Sequence, residues 1–184
     1  MTQRSKAALL TIFEDGQTAG ISAQDIRDFV DSVTPDYAGL NFITPAVTTI
    51  DTAGAYVKAA GGTALTGSSA TMGDGSTDNR IVYTGAAMRH FHIVLQASVT
   101  LASGNNQNVG IQMYKFDSSA GIGTLLSHSE AVTTIPGQNI VQITSHADTM
   151  LDTNDYLEMY IGNNTAANDI QVDLGYMFAV SMIV

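Results

Sequence analysis

Two periodicities divide the chain. Over 21–33 the apolar positions recur at helical spacing: Ile26, Phe29, Val30 and Val33 fall at i, i+3, i+4 and i+7 and form one stripe, with Arg27, Asp28 and Asp31 facing away from it. Ser22 is placed as an N-cap, Asp25 completes a capping box, and Ile21 and Ile26 have the spacing of a hydrophobic staple. Pro35 ends the segment. The pattern predicts one amphipathic helix at about 23–33. It is too short to be stable alone, so its stripe must lie against something. Two readings stand: the stripe caps the open end of the following domain, or it docks on a partner protein together with Leu9, Leu10, Ile12 and Phe13. The second is preferred.

From Phe42 onward the period becomes two, and strands are expected at 44–50, 56–59, 63–67, 80–84, 89–101, 109–116, 124–132 and 139–147. Two more are expected after the turn cluster Asp152, Asn154 and Asp155, and at 169–184. The 89–101 strand is the longest clean one: Arg89, Phe91, Ile93, Leu95, Ala97, Val99 and Leu101 alternate with His90, His92, Val94, Gln96, Ser98 and Thr100. After the turn cluster, Leu157, Met159 and Ile161 point one way and Tyr156, Glu158 and Tyr160 the other. In 169–184 every even position is apolar, and in the second half the odd positions turn apolar as well, so that half reads as buried on both sides. Short strands with turns between them and no crossover helices predict an antiparallel β-sandwich of jelly-roll type. The expected division is an N-terminal arm and anchoring helix at 1–41 and a jelly-roll domain at 42–184.

Composition narrows the function. Of the 184 residues only 13% are charged against 45% hydrophobic, and the net charge is −10. From Gly61 onward only Arg80, Arg89 and Lys115 are basic, against ten acidic residues. No basic stripe forms there, which speaks against nucleic acid and anionic membrane surfaces as partners. No apolar run approaches the roughly 18–20 residues of a membrane span. Glu14 and Asp15 interrupt the N-terminal segment before an export signal forms. With no cysteine, stability must come from packing or association. The outward positions carry Tyr114, Tyr156 and Tyr160 with His90 and His92, where a monomer would place Lys, Glu and Thr. Symmetric self-association through these five residues is the economical explanation.

Several runs occur in a recognisable order: Asn79-Arg80-Ile81-Val82-Tyr83-Thr84-Gly85, then Arg89 and Phe91, then Ser103-Gly104-Asn105-Asn106-Gln107, then Thr153-Asn154-Asp155-Tyr156-Leu157-Glu158 through Asn163-Asn164-Thr165. Together they resemble a family of small viral jelly-roll modules. These are the tumour-necrosis-factor-type (TNF-like) trimers carried on bacteriophage particles as capsid decoration, head-fibre and tail-fibre heads. The resemblance implies a homotrimer of β-sandwiches whose inner sheets meet around a three-fold axis. The chain departs from the commonest pattern after Tyr114, where Lys115-Phe116-Asp117-Ser118-Ser119 replaces a Lys-Asn-Gly turn. The 21–33 helix also resembles N-terminal anchoring segments of phage virion proteins.

No enzyme is expected, because there is no Gly-x-Ser-x-Gly elbow and no histidine is flanked by a matching partner. His90-x-His92 is at most half of a metal site, and Asp74-Gly75-Ser76-Thr77-Asp78 lacks the later ligands of a calcium loop. Neither metal nor cofactor is expected. Asn163-Asn164-Thr165 is read as a turn and not as a glycosylation site. The expected function is therefore a structural virion protein on the capsid exterior. It would trimerise through its head and dock on the major capsid protein, or another virion protein, through Ile26, Phe29, Val30 and Val33. The alternative is a tail-fibre or receptor-binding head that recognises a host surface glycan.

Overall fold

The computed structural model describes residues 22–73 and 79–182, together with Thr11. One helix, α1 (Ala23–Val33), precedes strands β1 (Tyr37–Phe42), β2 (Ala46–Thr48), β3 (Tyr56–Lys58), β4 (Thr63–Ser68), β5 (Met72–Gly73), β6 (Ile81–Tyr83), β7 (Arg89–Leu101), β8 (Gln107–Asp117), β9 (Ile122–Leu125), β10 (Ala131–Ile135), β11 (Val141–Leu151), β12 (Tyr156–Asn163) and β13 (Ile170–Met182). They form two antiparallel sheets. The first runs β11-β7-β13-β1-β4 with β2 added on β13, and the second runs β10-β8-β12-β6-β5 with β3 on β12 and β9 on β8. We call them the β7 sheet and the β12 sheet. Their inner faces enclose the core: Phe91, Ile93, Leu95 and Val99 from β7 meet Ile111 and Met113 from β8 and Leu157, Met159 and Ile161 from β12. Tyr83 meets Phe91 edge to face at 5.2 Å and gives its hydroxyl to Ala87 O.

Three expectations need correction. The β7 sheet takes in the chain from Tyr37, ahead of the expected boundary at 42, because β1 pairs with β13 along its whole length. A segment with Gly39 and Asn41 has little strand propensity of its own, and the pairing overrides that. The single strand expected at 124–132 is two, β9 and β10, separated by a 3-10 turn at Ser127–Ser129. The buried Ser129 holds that turn: its hydroxyl donates to Leu126 O (2.6 Å) and accepts from Met113 N (2.9 Å). The loop expected at 68–79 contains the short β5.

A further correction concerns facing. Between Val172 and Leu174 the register of β13 against β7 shifts by a bulge. Before it, Ile170 and Val172 face the core; after it, Met177 and Ala179 do. The even residues Leu174, Tyr176, Phe178, Val180 and Met182 are thereby turned to the outer face. The strand does present apolar residues on both sides, but one of those sides is uncovered.

α1 opens with the expected capping box: Asp25 N–H donates to Ser22 Oγ and Ser22 N–H to Asp25 Oδ2. Its C-terminal end is tied to the sandwich by Arg89 at the start of β7. The guanidinium donates to Ser32 O and Thr34 O (both 2.9 Å) and pairs with the buried Asp36 carboxylate at 3.1 Å. A cation on the last carbonyls also suits the helix dipole. Asp36 and Ser181 then exchange bonds at 2.7 Å, which joins the entry of β1 to the end of β13.

The turn from β11 into β12 carries the chain from one sheet to the other. Asn154 takes the left-handed conformation (φ 69°) that the turn needs. Asp155 is buried and gathers Asp152 N–H (3.0 Å), Ser118 N–H (2.9 Å) and the Lys115 ammonium (3.1 Å) on its carboxylate. It also fixes the β8–β9 connection, where the chain departs from the expected turn sequence. Removing the carboxylate strands these donors. Asp155→Ala should therefore lower unfolding stability by about 3–5 kcal/mol, the usual loss on breaking a buried pair, read as a shift of the urea midpoint at unchanged slope.

Candidate functional site

Alternation fixes which residues of a strand point outward, but the two expected groups of interface residues lie on different sheets. Tyr114, Tyr156 and Tyr160 stand on the outer face of the β12 sheet, on β8 and β12. His90 and His92 stand on the outer face of the β7 sheet. They cannot form one surface, which corrects the expectation that they share a face. The physical reason is that period two distinguishes in from out, not one sheet from the other.

The tyrosine face is closed on itself. Tyr114 stacks on Tyr160 at 4.5 Å with ring planes 12° apart, and Phe116 stacks on Tyr156 at 4.7 Å and 13°. The Arg80 guanidinium lies 4.4 Å over the Tyr156 ring. Glu158, buried between the tyrosines, receives Lys58 Nζ at 2.6 Å. Tyr56 lies over Gly110 and Gly162 and donates to Glu130 Oε1 at 2.7 Å; a Cβ at Gly110 would come within 1.9 Å of its hydroxyl. The phenols are shielded accordingly. Burial, then the Glu158 charge, pushes Tyr160 up to about 12. Burial and Glu158 raise Tyr156 as well, and burial with the Glu130 bond raises Tyr56. The aromatic side chains opposite Leu157, Met159 and Ile161 thus have partners within their own chain.

The outer face of the β7 sheet is different. The row released by the β13 bulge runs across its middle, with Val180 opposite Tyr37 and His92, Phe178 opposite Gly39 and Val94, and Tyr176 opposite Asn41 and Gln96. Leu174 is 57% exposed and Tyr176 38%. An apolar row on the face of a broad sheet, with polar residues beside it, has the character of a contact surface. His90, His92, His146 and Asp148 border it, with His92 Nδ1 2.7 Å from Asp148 Oδ1. The sequence held one sign of this surface, the second half of 169–184 being apolar at both parities.

On α1 much of the stripe is exposed. Ile26 is 53% exposed, Phe29 40% and Val30 54%, with Val33 half-buried. Asp28, on the other side, is buried and accepts from Gln24 Nε2 at 2.5 Å. Leu9, Leu10, Ile12, Phe13 and Ile21 lie outside the described residues, as does the Asp74–Asp78 loop.

Among the described residues, no group of three His, Asp or Glu side chains is placed to hold a metal ion, and no helix is long and apolar enough to cross a membrane. Asn163 is buried, donates to Gln107 Oε1, and accepts from Thr165 N–H and Ala166 N–H at 3.1 Å. It is the turn former that was expected.

No protein-family profile and no curated protein matches the sequence. In three dimensions the chain is similar to the Eiger TNF from S. frugiperda, with TM-score 0.54 and 10% identity over 81% of this chain and 94% of that one. It is also similar to murine APRIL at pH 5.0, with TM-score 0.52 and 11% identity over 79% and 99%. At these identities the likeness establishes the fold, a TNF-like jelly-roll sandwich.

The Tyr160 shift has a measurable consequence. A phenol near 10 in the unfolded chain and at about 12 in the folded one contributes stability that is fully present below pH 10 and is lost as the pH rises toward 12. Denaturation midpoints should hold steady up to about pH 10 and fall above it. Tyr160→Phe should make that fall shallower, with tyrosinate absorbance in the wild type appearing late.

Proposed function

We propose that the protein is a structural, non-enzymatic virion component: a homotrimeric decoration protein of a bacteriophage capsid, docked through α1 and projecting its sandwich outward. The observation that carries the reading is the uncovered apolar row of β13 on the outer face of the β7 sheet. A second copy seated there would bury what remains exposed of Leu174, Tyr176, Phe178 and Val180, at about 25 cal/mol per Å² of apolar surface covered. His90 and His92 adjoin this row, so they remain in the proposed contact. Tyr114, Tyr156 and Tyr160 leave it, since they stand on the other sheet and each already stacks on a ring of its own chain. The number three and the phage setting come from the resemblance of the sequence runs to TNF-type virion trimers.

α1 supplies the docking element. Ile26 and Val30 on its stripe are more than half exposed, and an amphipathic helix in an apolar groove is a common mode of attachment. The partner is a shell protein with such a groove. The glycan-binding alternative draws less support, because sugar rings need free aromatic faces and the stacked pairs on the β12 sheet do not offer them.

Two measurements test this. Light scattering on the purified chain should give three protomers, and Phe178→Glu should give a folded monomer while Tyr156→Ser stays trimeric; the opposite result returns the contact to the tyrosine face. Phe29→Glu should leave the trimer intact and weaken binding to particles by about tenfold or more, as loss of a buried aromatic anchor does. Undiminished particle binding would exclude α1 as the anchor.

A further inference from the structure

All four histidines of the chain gather around one carboxylate. His90 and His92 point outward from β7, and Asp148 stands opposite His92 on β11, two residues from His146. His92 Nδ1 is 2.7 Å from Asp148 Oδ1, and the His92 and His146 rings are 6.3 Å apart. His128, on the 3-10 turn beside the outermost strand β11, brings its Nε2 to 3.3 Å from Asp148 O. The hydrogen bond from His92, then the charges of His92, His90 and His146, hold the Asp148 carboxyl below its ordinary range. The facing residues of β13, namely Phe178, Val180 and Met182, carry no titratable group. At the end of the patch, Lys115 donates to Met150 O and pairs with Asp155.

We propose that this cluster makes self-association pH-dependent: neutral imidazoles admit a second copy of the chain onto the β13 row, and protonated ones exclude it. The proposal rests on the contact assigned above. Val180 lies directly opposite His92, so a copy seated on the row covers the imidazoles. A neutral ring is buried at little cost, whereas an imidazolium must be desolvated and meets its equivalents from the other copies. One carboxylate per protomer cannot balance four cations. Full protonation also moves the formal charge from −10 to −6, one unit per imidazole, and so reduces repulsion between whole chains. That opposing effect acts over distances at which salt screens it, with a Debye length of about 8 Å, while the cost at the contact is unscreened. The His92–Asp148 pair is internal to each chain and does not set the sign. Association is therefore full where the imidazoles are neutral and weakens as a falling pH protonates them.

The test is sedimentation of the full chain at about pH 7.5 and about pH 5.5, a window in which ordinary carboxylates stay ionised, with circular dichroism to confirm that the fold persists. The expected result is a reversible loss of trimer, with the dissociation constant rising at least about tenfold. Combining His90→Gln, His92→Gln and His146→Gln should flatten the pH response, read as the ratio of the variant's own dissociation constants at the two pH values. His146→Gln alone, which spares the His92–Asp148 pair, should make the response shallower. A trimer unchanged at the lower pH overturns the switch alone, as does an unaltered response in His146→Gln. A monomer at both pH values overturns the contact assignment and the switch with it.

Discussion

The bulge in β13 is the constraint on which the rest of the molecule turns. This strand sits inside the six-stranded sheet between β7 and β1, and side chains along a strand alternate without slack. One extra residue between Val172 and Leu174 therefore reassigns every position that follows. On the inner side the shift is accommodated by Gly175, whose Cβ would come 3.2 Å from that of Phe42. Beyond it the small and slender residues Met177 and Ala179 fill the core against β7, and the bulkier Tyr176 and Phe178 go outside. Without the bulge those aromatic rings would be driven into space already occupied, and overpacking of that kind destabilises a core.

The two outer faces then differ in what they leave unsatisfied. On the β12 sheet Tyr114 and Tyr160, and Phe116 and Tyr156, are stacked in pairs, and the carboxylate among them has Lys58 at 2.6 Å. Each stacked pair contributes about 0.5–1.5 kcal/mol beyond its buried area, so a second copy would have to displace contacts already made. On the β7 sheet Leu174 is 57% exposed and Tyr176 38%, with Tyr176 stacked on Phe178 along the same row at 6.1 Å, so covering the row adds apolar burial.

What the sequence revealed follows from the range of the interactions involved. The helix was legible to the residue, since capping box and stripe are local signals among Ser22, Asp25 and Val33. The bounds of β7 were equally legible, since strict alternation over thirteen residues admits no other reading. β1 was not, because Tyr37–Phe42 becomes a strand only through its pairing with β13. The assignment of Tyr114, Tyr156, Tyr160, His90 and His92 to one face failed for a related reason. Which sheet a strand joins is decided by partners far away in the chain. The parity of β13 after residue 173 is likewise invisible in a pattern whose odd and even positions are both apolar.

The two apolar surfaces are connected by position. Arg89, which binds the last carbonyls of α1, is the first residue of β7, next to His90 and therefore opposite the Met182 end of β13. Ser181 and Asp36 tie the same end together. In an assembly built on the β13 row, the copies of α1 accordingly emerge at one common end of the particle. Several weak helical contacts then act together. Once one helix is bound the others are held at high effective concentration, so the attachment exceeds what an eleven-residue helix achieves alone. Two carboxylates border the row, Asp148 bonded to His92 and Asp173 to Thr100 and Gln171, and these bonds within each chain fix them beside the apolar row without cancelling their charge. In the proposed assembly self-association and docking would be one design, with the bulge supplying the contact that lets a short helix serve as an anchor.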